Sequence, residues 1–182
     1  MKLTDLAILA MVFFICILVV VHTKSDMLYN QMFNRVMYNN VMDNITEEAL
    51  NIGYDGVDAN GRPKVSLDKL SRYFKQTTDM YGVSSRHIMC YVDYDGFYLG
   101  LSLSDYNWGD KIYFTEKNET AHEQKIAQLR EKVIEEYGID MMLPYNDGEK
   151  WENSVDDYSL LVISYDKIMK IYCFSGAKIH RK

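Results

Sequence analysis

The chain has 182 residues, a formal net charge of −6, and an aromatic content of 15 Tyr, 7 Phe and 2 Trp. Lys2 and Asp5 cancel, so the acidic excess lies beyond the first hydrophobic segment, and no run of Lys and Arg occurs. This argues against a nucleic-acid partner, which needs clustered cations, and three cysteines are too few for a disulfide-dense scaffold.

Leu6 to Val21 is an unbroken apolar run of sixteen residues, extended by Leu3 and Met1. With its flanks it reaches the ~17–25 residues that span a hydrocarbon core. A cleavable signal peptide is the rival reading. The length of the run, Asp5 in the n-region, and the lack of small residues at Val20-Val21-His22 favour an uncleaved anchor over residues 1–24. Thr4 and Asp5 suit the cap and first turn of that helix. Lys2 and the terminal amine are matched by Lys24 and Arg35, so charge orients the span only weakly. A short N-terminus stays inside, which predicts a single-pass protein of the cell membrane with its N-terminus cytoplasmic and its C-terminal domain extracytoplasmic.

No Gly or Pro occurs before Gly53, so nothing breaks a helix for over fifty residues. Leu28, Met32 and Val36 step by four; Val41, Ile45, Ala49 and Ile52 step by four, four and three. Both sets suit one helical face. They predict a helix from about Thr4 to Ile52, capped by Gly53, with residues 25–53 as a stalk. The candidate partner-binding face of that stalk is Leu28, Met32, Val36, Val41, Ile45 and Ala49. Asn30, Asn34, Asn39, Asn40 and Asn44 weaken the middle by propensity. Met27, Met32, Met37 and Met42 recur every five residues, which scatters them around the cylinder rather than along a stripe.

Residues 54–182 form the predicted domain. Tyr54 to Lys64 reads as a loop, through Asp55-Gly56, Asn60-Gly61 and Pro63. Ser66 caps a helix with Leu67, Leu70, Phe74, Thr77 and Tyr81 inward, ending at Gly82. Arg86 to Tyr94 and Phe97 to Ser104 are β-rich runs joined by Asp95-Gly96, the signature of a type I′ hairpin with positive φ at both turn residues. Trp108 to Phe114 suggests a third strand. Thr120-Ala121-His122-Glu123 is a capping box, and its helix buries Ile126, Leu129, Val133 and Tyr137 before Gly138. Ile139 to Leu143 reads as a short strand. Tyr158 to Tyr165 and Lys167 to Phe174 make a second hairpin across Asp166, followed by an extended piece from Gly176 to His180. Helices mixed with hairpins predict an α+β fold, an antiparallel sheet packed by two helices.

Cys16 lies within the apolar run as a small hydrophobe. Cys90 and Cys173 fall in strands, and two buried thiols are favoured over a disulfide. Asp93-Tyr94-Asp95-Gly96 resembles the start of a calcium loop, but it lacks the remaining ligands and the closing Glu. A hairpin turn explains the same residues, and Asp156-Asp157 reads as a turn before a strand. His22, His87, His122 and His180 lack metal-ligand spacing. Ser102, Ser104 and Ser164 sit in strands without a glycine elbow, and no phosphate-binding glycine pattern exists. No metal, cofactor or catalytic residue is therefore predicted, and the chain reads as non-enzymatic. Asn44-Ile45-Thr46 and Asn118-Glu119-Thr120 match glycosylation acceptors, which matter only in a eukaryotic secretory pathway. The cationic end from Lys178 to Lys182 reads as solvated chain.

Four stretches together resemble small membrane-anchored proteins of the tight-adherence (Tad, Flp-type) pilus systems of Gram-positive bacteria. They are Met1 to Leu6; Tyr38 to Asn44 with Glu47, Glu48 and Ala49; Val92 to Tyr98; and Phe174 to Ile179. The resemblance implies a minor-pilin or pseudopilin-like subunit without enzymatic activity. Two features bear on it. There is no prepilin leader with its glycine cleavage site, whereas Asp5 stands where mature pilins place an acid on the fifth residue. The leading expectation is a structural or assembly subunit of a surface filament or secretion machine. Its partners would be the lipid bilayer and pilin-like or secretion-machinery proteins, including other copies of itself. The alternative is an anchored ligand-binding or sensor domain, with Tyr91, Tyr94, Phe97, Tyr98 and nearby Trp108 lining a site.

Overall fold

A computed structural model describes residues 3–83, 85–102, 106–115, 122–140, 153–166 and 171–179. The fold is α+β: a long N-terminal helix, then antiparallel sheets and two further helices. The chain divides into two compact units, Met1–Met37 and Tyr38–Lys182.

Helix α1 covers Leu3–Gly53, as the absence of helix breakers requires. Its 51 residues extend ~77 Å at 1.5 Å per residue. Within the first unit the side chains described from Ile8 to Asn34 are all exposed, including Phe13, Phe14 and the valines at 19, 20 and 21. This part of the helix is long and apolar enough to cross a membrane.

The second unit begins at Tyr38, not after Gly53. The last turns of the predicted stalk are therefore part of the head. Here Met42, Ile45, Ala49 and Leu50 are at most 2% exposed and pack with Leu70 and Phe74 against the sheet. Thr46, also buried, shares a 2.7 Å hydrogen bond with Ser175 across that contact. Gly53 ends the helix without a positive φ. Its lack of a side chain serves a close approach instead, since a Cβ there would lie 2.9 Å from the Cβ of Leu70.

The predicted loop after the helix is a small hairpin, β1 (Tyr54–Val57) with β2 (Pro63–Val65). Asp58 builds its turn by accepting the backbone N–H groups of Asn60 and Arg62 at 2.8 Å. Helix α2, Leu67–Met80, starts at the predicted cap Ser66, whose hydroxyl accepts from the Lys69 N–H. It buries Leu70, Ser71, Phe74, Thr77 and Thr78, whereas Tyr81 sits past its end and is exposed.

The main sheet contains β3 (Ser85–Val92), β4 (Gly96–Ser102), β5 (Tyr106–Trp108), β6 (Ile112–Tyr113), β7 (Ser159–Asp166) and β8 (Ile171–Lys178). Its order is β5-β4-β3-β7-β8, all antiparallel, with β6 also beside β4. The predicted third strand is thus two short pieces. The extended piece after Gly176 continues β8 as far as Lys178. Helix α3, His122–Tyr137, covers the other sheet face with Leu129 and Val133 buried among Ile88, Cys90, Phe97 and Phe174. Ile126 and Tyr137 pack at the margin, and Gly138 stops the helix at φ 68°. The head is therefore a three-layer sandwich, with the end of α1 and α2 on one face and α3 on the other. Thr120 of the capping box, residues 141–143 of the short strand and residues 167–170 of the second hairpin lie outside the described residues.

Candidate functional site

The six predicted stalk-face residues divide between the two units. Leu28, Met32 and Val36 are 60%, 69% and 56% exposed. Ile45 and Ala49 are buried by the head itself, and Val41 packs beside them. Ile45 and Ala49 are therefore not available to another subunit; the periodicity at these two positions is satisfied within the chain. On the free portion, Tyr29, Phe33 and Met37 are also exposed. At ~100° per residue these side chains and Leu28, Met32 and Val36 occupy one arc, while Asn30, Gln31, Asn34 and Arg35 occupy the opposite one.

The hairpin from β3 to β4 forms where predicted, but its turn differs. Val92 faces Phe97, and the Asp93 N–H donates to the Gly96 carbonyl, so Tyr94 and Asp95 are the turn residues. Neither has a positive φ, which rules out type I′. Gly96 is needed for space: a Cβ there would lie 2.4 Å from the Ile112 carbonyl oxygen.

Alternation along the strands separates the predicted aromatic set. Phe97 turns into the α3 side and packs on Phe114 at 5.7 Å between ring centres. Trp108 lies over Gly100 in the cluster with α1 and α2. Tyr91, Tyr94 and Tyr98 instead line a cleft of about 410 Å³ between the small hairpin and the β3–β4 turn. Tyr91 and Tyr98 stack there at 6.3 Å and 27°. Sequence reasoning missed Arg62, Lys111 and Tyr158, which complete the lining from distant segments. The Arg62 guanidinium lies 4.2 Å over the Tyr94 ring.

Lys111 lies between the two carboxylates of the calcium-like motif. Its Nζ bonds Asp93 Oδ2 at 2.5 Å and contacts Asp95 Oδ1. Burial pulls the ammonium pKa down, but the two carboxylates outweigh this and push it up to about 12. The carboxylates thus close on an internal cation. Burial, with Asp93 nearby, raises the Tyr98 phenol, which is opposed only by Lys111.

The remaining candidates are dispersed. His22 is exposed beside Asp26, His122 opens α3, and His180 lies outside the described residues. His87 is buried, and its Nδ1 lies 2.8 Å from Ser164 Oγ. Burial lowers its pKa to about 4. Among the described residues no group of His, Cys, Asp and Glu is placed to hold a metal. Cys90 faces α3 and its thiol is pushed up by burial. Cys173 sits on β8, two strands from Cys90, and pairs in register with Ser164 of the neighbouring β7; neither cysteine is in a disulfide. Of the two glycosylation sequons, Thr46 is buried and residues 118–120 lie outside the described residues. Asp157 and Tyr158 form the turn before β7, with Asp156 just ahead of it.

The chain matches no family model, no curated protein and no solved structure.

Proposed function

We propose that this protein is a membrane-anchored structural or assembly subunit of a cell-surface pilus or secretion machine, similar to minor pilins or pseudopilins of tight-adherence systems. The N-terminus lies in the cytoplasm and the head outside, with α1 crossing the cell membrane between them. One observation carries the reading: a six-residue apolar arc, Leu28, Tyr29, Met32, Phe33, Val36 and Met37, stands exposed on the helix beyond the membrane run. Sixteen apolar residues cover ~24 Å of a hydrocarbon core of ~30 Å. Even four more residues leave the arc outside that core. Large apolar patches on an exposed helix are characteristic of surfaces that bind other proteins, and helices of like subunits are the partners this arc suits.

The test is crosslinking in native membranes, with single cysteines in a background lacking Cys16, Cys90 and Cys173. Probes at Leu28, Met32 and Val36 should crosslink to another copy or to a pilin-like protein, and probes at Asn30 and Asn34 should not. Equal labelling of both arcs, or no crosslink at any position, sinks the proposal.

A further inference from the structure

The head carries a feature that anchoring and helix packing do not use. The cleft between β1–β2 and the β3–β4 turn has Tyr91, Tyr98 and Tyr158 among its lining, together with six charged side chains. Three cations, Arg62, Lys64 and Lys111, face three carboxylates, Asp58, Asp93 and Asp95. The charges balance, and most are already engaged. Lys111 is held by Asp93 and Asp95, Asp58 caps its own turn, and Arg62 lies on Tyr94.

This balance selects among ligand classes. A metal ion would have to displace Lys111 from both carboxylates. An anion would meet three carboxylates for three cations. A purely apolar ligand would strip water from all six charged groups without replacing their hydrogen bonds. What fits is a neutral molecule with many hydroxyl groups and an apolar face. Paired hydroxyls donate to carboxylates and accept from ammonium and guanidinium groups, while aromatic rings receive the apolar face.

A second observation points to the same place. Tyr158 is 1% exposed and has a φ of 61°, unlike any other non-glycine residue described. A bulky side chain in that region costs ~1–3 kcal/mol and persists only where surrounding structure imposes it. The Ile179 N–H holds the Tyr158 carbonyl at 3.1 Å, and the Ser159 hydroxyl donates to the Asp156 carbonyl at 2.7 Å. Glycine or asparagine would relieve the strain at this turn. Tyrosine there backs the cleft as a buried support behind the exposed rings.

We infer that the cleft binds a neutral saccharide, with Tyr94 and Arg62 at its rim and Tyr98 along its wall. The inference is independent of the helix arc and goes beyond the assembly role, giving the head an adhesive function.

The full chain, purified in an amine-oxide detergent without a sugar headgroup, is titrated calorimetrically with chitotetraose, maltotetraose and inorganic phosphate. Saturable binding of one tetrasaccharide is expected, weakened about tenfold or more by Arg62→Ala and by Tyr94→Ala, a loss of ~1.4 kcal/mol. Both side chains lie at the surface, and near-ultraviolet circular dichroism verifies that each variant keeps its packing. Glu135→Ala, on the exposed side of α3, should leave the affinity unchanged. The inference is overturned if neither sugar binds up to ~10 mM, a range that captures even weak ligands. It is equally overturned if phosphate binds in place of both sugars, or if the two variants bind sugar as the parent does.

Discussion

His87 and Ser164 sit directly opposite each other on β3 and β7, with Nδ1 and Oγ 2.8 Å apart and both side chains buried. The Phe74 ring meets the imidazole edge-on at 5.3 Å. Burial holds the folded-state pKa at about 4, below the ordinary 6.5. The sign follows from which state binds the proton. Above pH 6.5 both states are neutral and the full stability is present. As pH falls from 6.5 towards 4, the unfolded chain takes up the proton first and stability drains away, by roughly 3 kcal/mol at most. Thermal unfolding of the head, followed by near-ultraviolet circular dichroism, should show this loss in the parent. His87→Phe should lack it over the same window; a parallel decline in both proteins contradicts the assignment.

The division of the helix face yields a contrast between two substitutions. Ile45→Ala removes a side chain 2% exposed in the head core and should cost ~2–4 kcal/mol of head stability. Met32→Ala, on a side chain 69% exposed, should change that stability by no more than ~0.5 kcal/mol while weakening crosslinks to neighbouring subunits. The two effects separate folding from association in a pair of unfolding and crosslinking measurements.

Gly96→Ala sets a Cβ 2.4 Å from the Ile112 oxygen and 3.0 Å from the Tyr113 Cα, both backbone atoms. β6 must move to admit it, at ~1–3 kcal/mol. Gly109→Ala meets only the Leu99 oxygen, at 3.5 Å, and should be near neutral. Faster amide exchange confined to β6 in the Gly96 variant is the expected signature.

Lys111→Met leaves Asp93 and Asp95 facing each other without their shared cation. The loss should be roughly 1–2 kcal/mol, since the site is partly exposed. Adding Asp95→Asn should recover part of it, because the repulsion disappears with the second charge. A double variant no more stable than Lys111→Met means that the ammonium stabilises through packing alone.

Much of this fold was legible because its signals are local. Ser66 and the spacing of Leu70, Phe74 and Thr77 define α2, and Asp95-Gly96 located the first hairpin. The same dipeptide misled on turn type, because Gly96 answers to a distant carbonyl rather than to its own φ. The β1–β2 hairpin was hidden since Gly56, Asp58 and Pro63, all turn formers, crowd strands of four and three residues. Periodicity showed that Ile45 and Ala49 face something apolar; it carries no record of whether that is another subunit or the chain's own sheet. Tyr91, Tyr94 and Tyr98 were visible as one side of a site. Phe97 was separable from Tyr98 by alternation alone. Arg62, Lys111 and Tyr158 were not visible, because they meet the hairpin only through tertiary contacts, and a backbone angle like that of Tyr158 leaves no compositional trace.

The two-piece strand beside β4 bears on how heads behave when crowded. Gly100 faces Trp108 while Phe97 faces Ile112, so between these pairs two residues of β4 run against three of its neighbour. Such a bulge interrupts the row of backbone donors and acceptors that would template another strand. On the far side β8 presents eight residues and, among those described, pairs only with β7. A sheet blunted on one edge can pair through β8 with the β8 of a single second head, which leaves only blunted edges outermost. Fibrillar growth by sheet stacking edge to edge is thereby closed off after the first step.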